Sequence, residues 1–116
     1  MKLLTVAIPC YNSESYMEHA VETALCGGEE IEILLVNDGS TDKTAEIADR
    51  LAAEHPTIIK AIHKENGGHG SAVNAGLANA SGIYYKVLDS DDWFDEQALI
   101  KVCLLYTSDA ADEARS

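Results

Sequence analysis

Three apolar, β-branched runs in this chain each stop abruptly at a cluster of polar turn residues. Leu4-Thr5-Val6-Ala7-Ile8 stops at Pro9-Cys10-Tyr11-Asn12, and Ile31-Glu32-Ile33-Leu34-Leu35-Val36 stops at Asn37-Asp38-Gly39-Ser40-Thr41-Asp42. The third run, Ile83 to Leu88, enters Asp89-Ser90-Asp91-Asp92-Trp93. Helical patterns separate the runs. Strands that alternate with helices build a mainly parallel sheet with crossover helices, a Rossmann-like α/β fold. In such open sheets the ligand crevice lies outside the C-terminal ends of the strands. The polar clusters are therefore expected to converge on one site.

The intervening pattern is specific enough to place elements. After Asn12, read as an N-cap, Tyr16, Met17, Ala20, Val21, Ala24 and Leu25 fall on one helical face, and Gly27-Gly28 ends the helix. Thr41 or Asp42 is expected to cap a second helix with a buried stripe of Ala45, Ala48, Leu51 and Ala52, closed before Pro56. Ile58 to Ile62 reads as another strand, and Ser71 to Ala80 as a short helix of small residues ending near Gly82. Asp95 opens a last helix through Leu99, Ile100 and Val102. From Tyr106 to Ser116 the chain is polar, with no amphipathic period. One domain is expected over 1–102, with 103–116 a non-native or disordered tail.

The acidic cluster carries the chemistry. Three carboxylates within four residues repel one another unless a cation or ample water compensates them. Hard oxygen ligands suit Mg²⁺ or Mn²⁺, above all when a diphosphate supplies the remaining ligands. Taken alone, an Asp-x-Asp is most often a surface turn before a capped helix.

It does not stand alone. Ile8-Pro9-Cys10-Tyr11-Asn12, then Val36-Asn37-Asp38-Gly39-Ser40-Thr41-Asp42, then Asn66-Gly67-Gly68 with Asn74-Ala75-Gly76, then Asp89-Ser90-Asp91-Asp92 follow in order. In order and spacing this series resembles family 2 glycosyltransferases of the GT-A fold, over about Met1 to Lys101. The resemblance implies the N-terminal, nucleotide-binding half of such a fold. It implies a nucleotide-diphosphate sugar as donor, a UDP-sugar first, and sugar transfer to an acceptor hydroxyl with inversion. The glycan or lipid-linked acceptor is not specified.

Residue by residue, the likeness points to Pro9, Tyr11, Asn12, Glu14, Asp38, Gly68, Asn74, Asp89 and Asp91 for the nucleotide sugar, and to Asp91 and Asp92 for Mg²⁺ or Mn²⁺. Tyr11 can stack on the base while Pro9 and Asn12 shape the turn. Asp38 matches a residue that accepts a hydrogen bond from the uracil N3–H, although Asp-Gly is also common in plain turns. Glu14 matches an acidic position of relatives, and a helix dipole accounts for it equally well. The glycines of Asn66-Gly67-Gly68-His69-Gly70 permit close backbone approach to an anion at the following helix N-terminus. Lys64 is a candidate phosphate partner. Many relatives carry Arg just before the residue matching Asn74, where this chain has Val73; that departure weakens phosphate contact from this helix. No catalytic base is assigned, because the carboxylate that inverting relatives use lies in a later segment. Without it and the acceptor half, the chain is expected to be inactive by itself.

Bulk properties bound the rest. The formal net charge of −12 argues against nucleic acid as partner, since phosphate binding needs a basic footprint. A divalent cation reconciles that acidity with a nucleotide diphosphate. No apolar run is long enough to span a bilayer, which favours a cytoplasmic protein, with membrane association left to segments outside this chain. Cys10, Cys26 and Cys103 are widely spaced and read as reduced, with Cys10 packed rather than reactive. Two other readings compete. A nucleotidyltransferase would want a basic glycine-rich loop near the N-terminus, and a receiver-like acidic module would want its acidic pair at the end of the first strand.

Overall fold

The structure, a computed structural model, describes residues 2–104. Its elements follow one another as β1 (Leu4–Cys10), α1 (Met17–Leu25), a 3₁₀ turn (Gly28–Glu30), β2 (Ile31–Asp38), α2 (Thr44–Glu54), β3 (Ile59–Lys64), α3 (His69–Asn79) and β4 (Tyr84–Val87). Residues 96–104 form a further helix, α4. The strands lie in the order β3-β2-β1-β4, and every pairing is parallel.

Burial explains why β1 and β2 read as near-continuous apolar runs. Parallel strands covered on both faces have no wet side, and β2 is buried along its whole length. Val6, Ile8, Ile31, Ile33 and Leu35 face α1 and α2, where Met17, Ala20, Val21, Ala24, Ala48 and Leu51 complete the larger core. Leu34 and Val36 face α3, against Ala72. That second layer is thin because α3 lies close to the sheet. A Cβ on Gly76 would stand 2.8 Å from Ala7 Cβ and 2.7 Å from Tyr85 Oη, so only a glycine lets the helix sit there. Among the described residues no helix is long and apolar enough to cross a membrane.

Several element ends differ from expectation. Asn12 does not cap α1: its φ is +49°, and the helix starts only at Met17. A turn comes first, in which the N–H groups of Tyr16 and Met17 donate to the Ser13 carbonyl. Tyr16 and Glu14 thus precede the helix, and Tyr16 is exposed rather than part of the apolar stripe. Asp42, not Thr41, serves the start of α2, its Oδ1 accepting the Thr44 N–H at 2.9 Å. On α2, Ala48 and Leu51 are buried, while Ala45 and Ala52 are half-buried. Asp95 caps α4 as expected, Oδ1 accepting the Ala98 N–H at 3.1 Å. Among the described residues of α4, Leu99 and Cys103, one turn apart, are the buried ones, and Val102 is exposed. Cys103 and Leu104 therefore belong to a helix, whereas the rest of the proposed tail lies outside the described residues.

Candidate functional site

The C-terminal ends of β1, β2 and β4 meet on one rim, as parallel pairing requires. Asn12 sews the first two together. Its Oδ1 accepts the Thr41 N–H at 2.8 Å, and its own N–H donates to Ser40 Oγ at 3.0 Å. Asn tolerates the left-handed backbone this turn needs better than most side chains. The turn leaves the Tyr11 ring about half exposed at the mouth of the cleft.

Asp38 ends β2 at 4% exposure. Its Oδ1 accepts the Lys64 ammonium at 3.0 Å and the Gly67 N–H at 2.9 Å, and its Oδ2 accepts the Gly68 N–H at 2.9 Å. Burial pushes the Asp38 carboxyl up, but the Gly67 N–H, Lys64 and the Gly68 N–H outweigh it and hold the group below the usual carboxylate range. The Asn66 amide also donates to the Asp38 carbonyl at 3.0 Å. Gly39 makes this close packing of loops feasible: its φ is +67°, and a Cβ there would lie 2.6 Å from the Asn66 nitrogen. An ionised carboxylate has about four acceptor sites, so the protein leaves Asp38 about one, on Oδ2. Lys64, read from sequence as a phosphate partner, is instead committed to Asp38 and to the Glu65 carbonyl.

The loop that Asp38 holds leads into α3. Gly68 takes φ +92° at the helix start, beside the acidic segment that follows β4. His69 Nε2 lies 3.0 Å from Asp89 Oδ1, with both side chains mostly exposed. Asp91 is exposed as well. Asp92 turns back, its N–H donating to the Asp89 carbonyl and its Oδ1 accepting the Trp93 N–H.

Between these loops lies a cleft of about 540 Å³. Pro9, Tyr11, Asp38, Gly68, Asp89 and Asp91, all among the residues that the resemblance points to, line it. Asn12, Glu14, Asn74 and Asp92 do not line it. Asn12 acts through the turn instead. Glu14 is exposed, and its backbone N–H donates to Asp42 Oδ2 at 3.2 Å. Asn74 is an exposed residue within α3, where the Val73 carbonyl accepts the Tyr85 hydroxyl. Cys10 borders the cleft but is 1% exposed, and burial with the nearby Asp42 charge pushes its thiol up to about 12, which leaves it inert. The sequence reading missed Tyr16, Asn66 as a wall residue, and the buried hydroxyls of Ser13, Thr44 and Ser90.

The donor set suits a hard cation in kind. Asp91 faces the cleft, and among the described residues neither Asp91 nor Asp92 has a cationic side-chain partner. Among those residues no group of three His, Cys, Asp or Glu is gathered tightly enough to enclose a metal. A cation held here would draw its other ligands from a diphosphate and water, as Mg²⁺ commonly does.

Known proteins share this fold. The family described as glycosyl transferase family 2 matches residues 5–112. Chondroitin synthase of Pasteurella multocida (strain Pm70) is 38% identical over 103 residues, which make up 88% of this chain and 10% of that protein. The crystal structure of S. aureus TarS 1–349 in complex with UDP-GlcNAc matches with a TM-score of 0.78 at 28% identity, covering 93% of this chain and 32% of that one. The mannosyltransferase PcManGT from Pyrobaculum calidifontis, in complex with GDP-Man and Mn²⁺, has the same fold, with a TM-score of 0.75 at 24% identity over 86% of this chain and 31% of that one. The chain thus spans from a tenth to a third of the length of these relatives. Because the match takes in all the loops that build the cleft, from the turn after β1 to the acidic segment after β4, the chain belongs to glycosyl transferase family 2.

Proposed function

We propose that this chain is the donor-binding part of a glycosyltransferase that uses a UDP-sugar together with Mg²⁺ or Mn²⁺, and that the whole protein transfers the sugar to an acceptor hydroxyl with inversion. The observation that carries this reading is the cleft itself, which brings the Tyr11 ring, the Asp38 carboxylate and the Asp89 and Asp91 carboxylates to one rim. TarS, whose fold covers nearly all of this chain, binds UDP-GlcNAc.

The geometry divides the work. Tyr11 offers a ring face to the base. The remaining acceptor site of Asp38 takes an N–H such as that of uracil N3. The backbone of Gly68 and the start of α3 favour the negatively charged diphosphate. Asp91, with Asp92 behind it, would hold the cation, and Asp89 stands beside the sugar-nucleotide. The cation, when bound, stabilises the charge that grows on the leaving diphosphate. The residue that deprotonates the acceptor is not among those assigned.

Calorimetry tests the metal half of this reading. UDP is expected to bind with Mn²⁺ at least about tenfold more tightly than in EDTA, about 1.4 kcal/mol, because the acidic rim otherwise repels the diphosphate. Asp91→Asn is expected to remove that increment while leaving the thermal melt unchanged. Equal affinity of the unaltered chain in Mn²⁺ and in EDTA would rule the cation out.

A further inference from the structure

We infer that Ser13 and Ser90 form a positioning pair, through which the turn after β1 sets where the acidic segment after β4 presents its carboxylates. Their hydroxyl oxygens lie 2.7 Å apart across 77 residues of sequence. Both are buried, Ser13 fully and Ser90 to 9% exposure, although Asp89 and Asp91 on either side are exposed. A polar side chain turned inward between two turned outward needs a partner, since an unpaired buried hydroxyl is costly. Ser90 has that partner in Ser13.

The bonding can be counted. A serine hydroxyl has one proton to donate and two lone pairs to accept with. Ser13 Oγ accepts the Tyr11 N–H at 3.1 Å and is placed to donate to the Tyr11 carbonyl at 3.3 Å. Its single proton can go to that carbonyl or to Ser90, so either hydroxyl can be the donor in the serine pair. The Ser13 N–H in turn donates to Thr44 Oγ1 at 2.8 Å, and Thr44, the first residue of α2, is fully buried. Ser13 is thus a node. It fixes the backbone of Tyr11, is anchored on α2, and holds the middle residue of Asp89-Ser90-Asp91. This contact ties the base-binding end of the cleft to its acidic end beyond the point where β1 and β4 stop pairing, at Ala7 and Val87, in addition to the His69–Asp89 contact and the Phe94 N–H bonded to Thr23 Oγ1.

The inference rests on the proposed donor binding, and the experiment separates the two. UDP binding with Mn²⁺ and with EDTA is measured for the unaltered chain, Ser90→Ala and Ser90→Thr, alongside amide hydrogen exchange of residues 89–93 without ligand. Ser90→Ala is expected to leave the EDTA affinity within about twofold but to cut the Mn²⁺ increment about fivefold, the loss of one net hydrogen bond. Its exchange over 89–93 should quicken, and Ser90→Thr, which keeps the hydroxyl, should restore both. Ser13→Ala, which also frees the Tyr11 N–H, should lower the EDTA affinity as well. An unchanged increment and unchanged exchange in Ser90→Ala overturn the pairing. So does an equal fall in both affinities that Thr does not rescue, since that is the mark of general loosening. If the unaltered chain has no Mn²⁺ increment, the cation reading falls, and the exchange data decide the pairing by themselves.

Discussion

Asp38→Ala is expected to lower the unfolding free energy by about 3 kcal/mol, the low end for removing one member of a buried ion pair, and to abolish any preference for uridine over other nucleotides. The substitution strips the acceptor from the Gly67 and Gly68 N–H groups and from Lys64 at once. The low end applies because the Lys64 side chain is 21% exposed and can turn to water. Base preference disappears because a site built to bond a ligand N–H discriminates through that bond. Asp38→Asn separates the two effects. It keeps an oxygen for Gly67 and so should lose less stability, yet its amide cannot accept on both atoms and base preference should still go. Denaturant melts and competition between uridine and guanosine diphosphates provide the measurements. Unaltered stability in Asp38→Ala would mean that the glycine loop supports itself.

The second large effect is expected at the opposite end of the sheet. Glu32 in β2 has a side chain only 3% exposed. Its Oε1 accepts the Thr5 hydroxyl and the Ser81 N–H, each at 2.9 Å. Its Oε2 accepts the Ser81 hydroxyl at 2.8 Å and Lys60 at 3.1 Å. Burial pushes this carboxyl up, but the two Ser81 bonds, Thr5 and Lys60 overcome it and bring the group from 4.5 down to about 2. A carboxyl whose pKa is lower in the folded state stabilises that state above its unfolded value. The contribution is therefore complete above pH 4.5 and fades as the pH falls towards 2. Its size at neutral pH is about 3 kcal/mol. Glu32→Gln should lose that amount at pH 7, and the gap between the two proteins should close in urea melts taken at successively lower pH. A gap independent of pH would show that Glu32 acts by shape rather than by charge.

These two carboxylates mark the boundary of what the sequence disclosed. Asp38 was legible because it ends an apolar run at a Gly-containing turn, and strand ends of a parallel sheet face one crevice. Its grip on the glycine loop was not, since nothing local joins residue 38 to residues 67 and 68. Glu32 stood as a charged residue inside an apolar run, with nothing beside it in sequence to mark its environment. It is buried because its neighbours in space, Thr5 and Ser81, supply donors that no periodicity reveals. The parallel sheet and its crossover helices followed from the alternation of patterns. Tyr16 misled because it keeps the helical spacing of Met17 and Ala20 but stands one residue ahead of the helix, in a turn made by Ser13. Asn12 looked like a cap for the same reason, being a capping residue type whose oxygen is engaged by Thr41 instead. Ser13 and Ser90 carry no signal in sequence at all, because a serine in a loop is ordinary until its partner is known.

The pairing of β1 with β4 has a consequence in time as well as in space. Leu4 lies beside Tyr84, so the chain must be made almost to its last described strand before that ladder can form. Contacts so distant along the chain close late. A partly synthesised chain can assemble β1, β2 and β3 with their helices, and it already has Tyr11 and Asp38, but it has no acidic rim. The strand that completes the rim is four residues long and, among the described residues, lies at the sheet's edge, the kind of element that opens first in a native protein. Whatever bridges Tyr11 and Asp91 binds the closed form alone, and by mass action it holds that last strand shut.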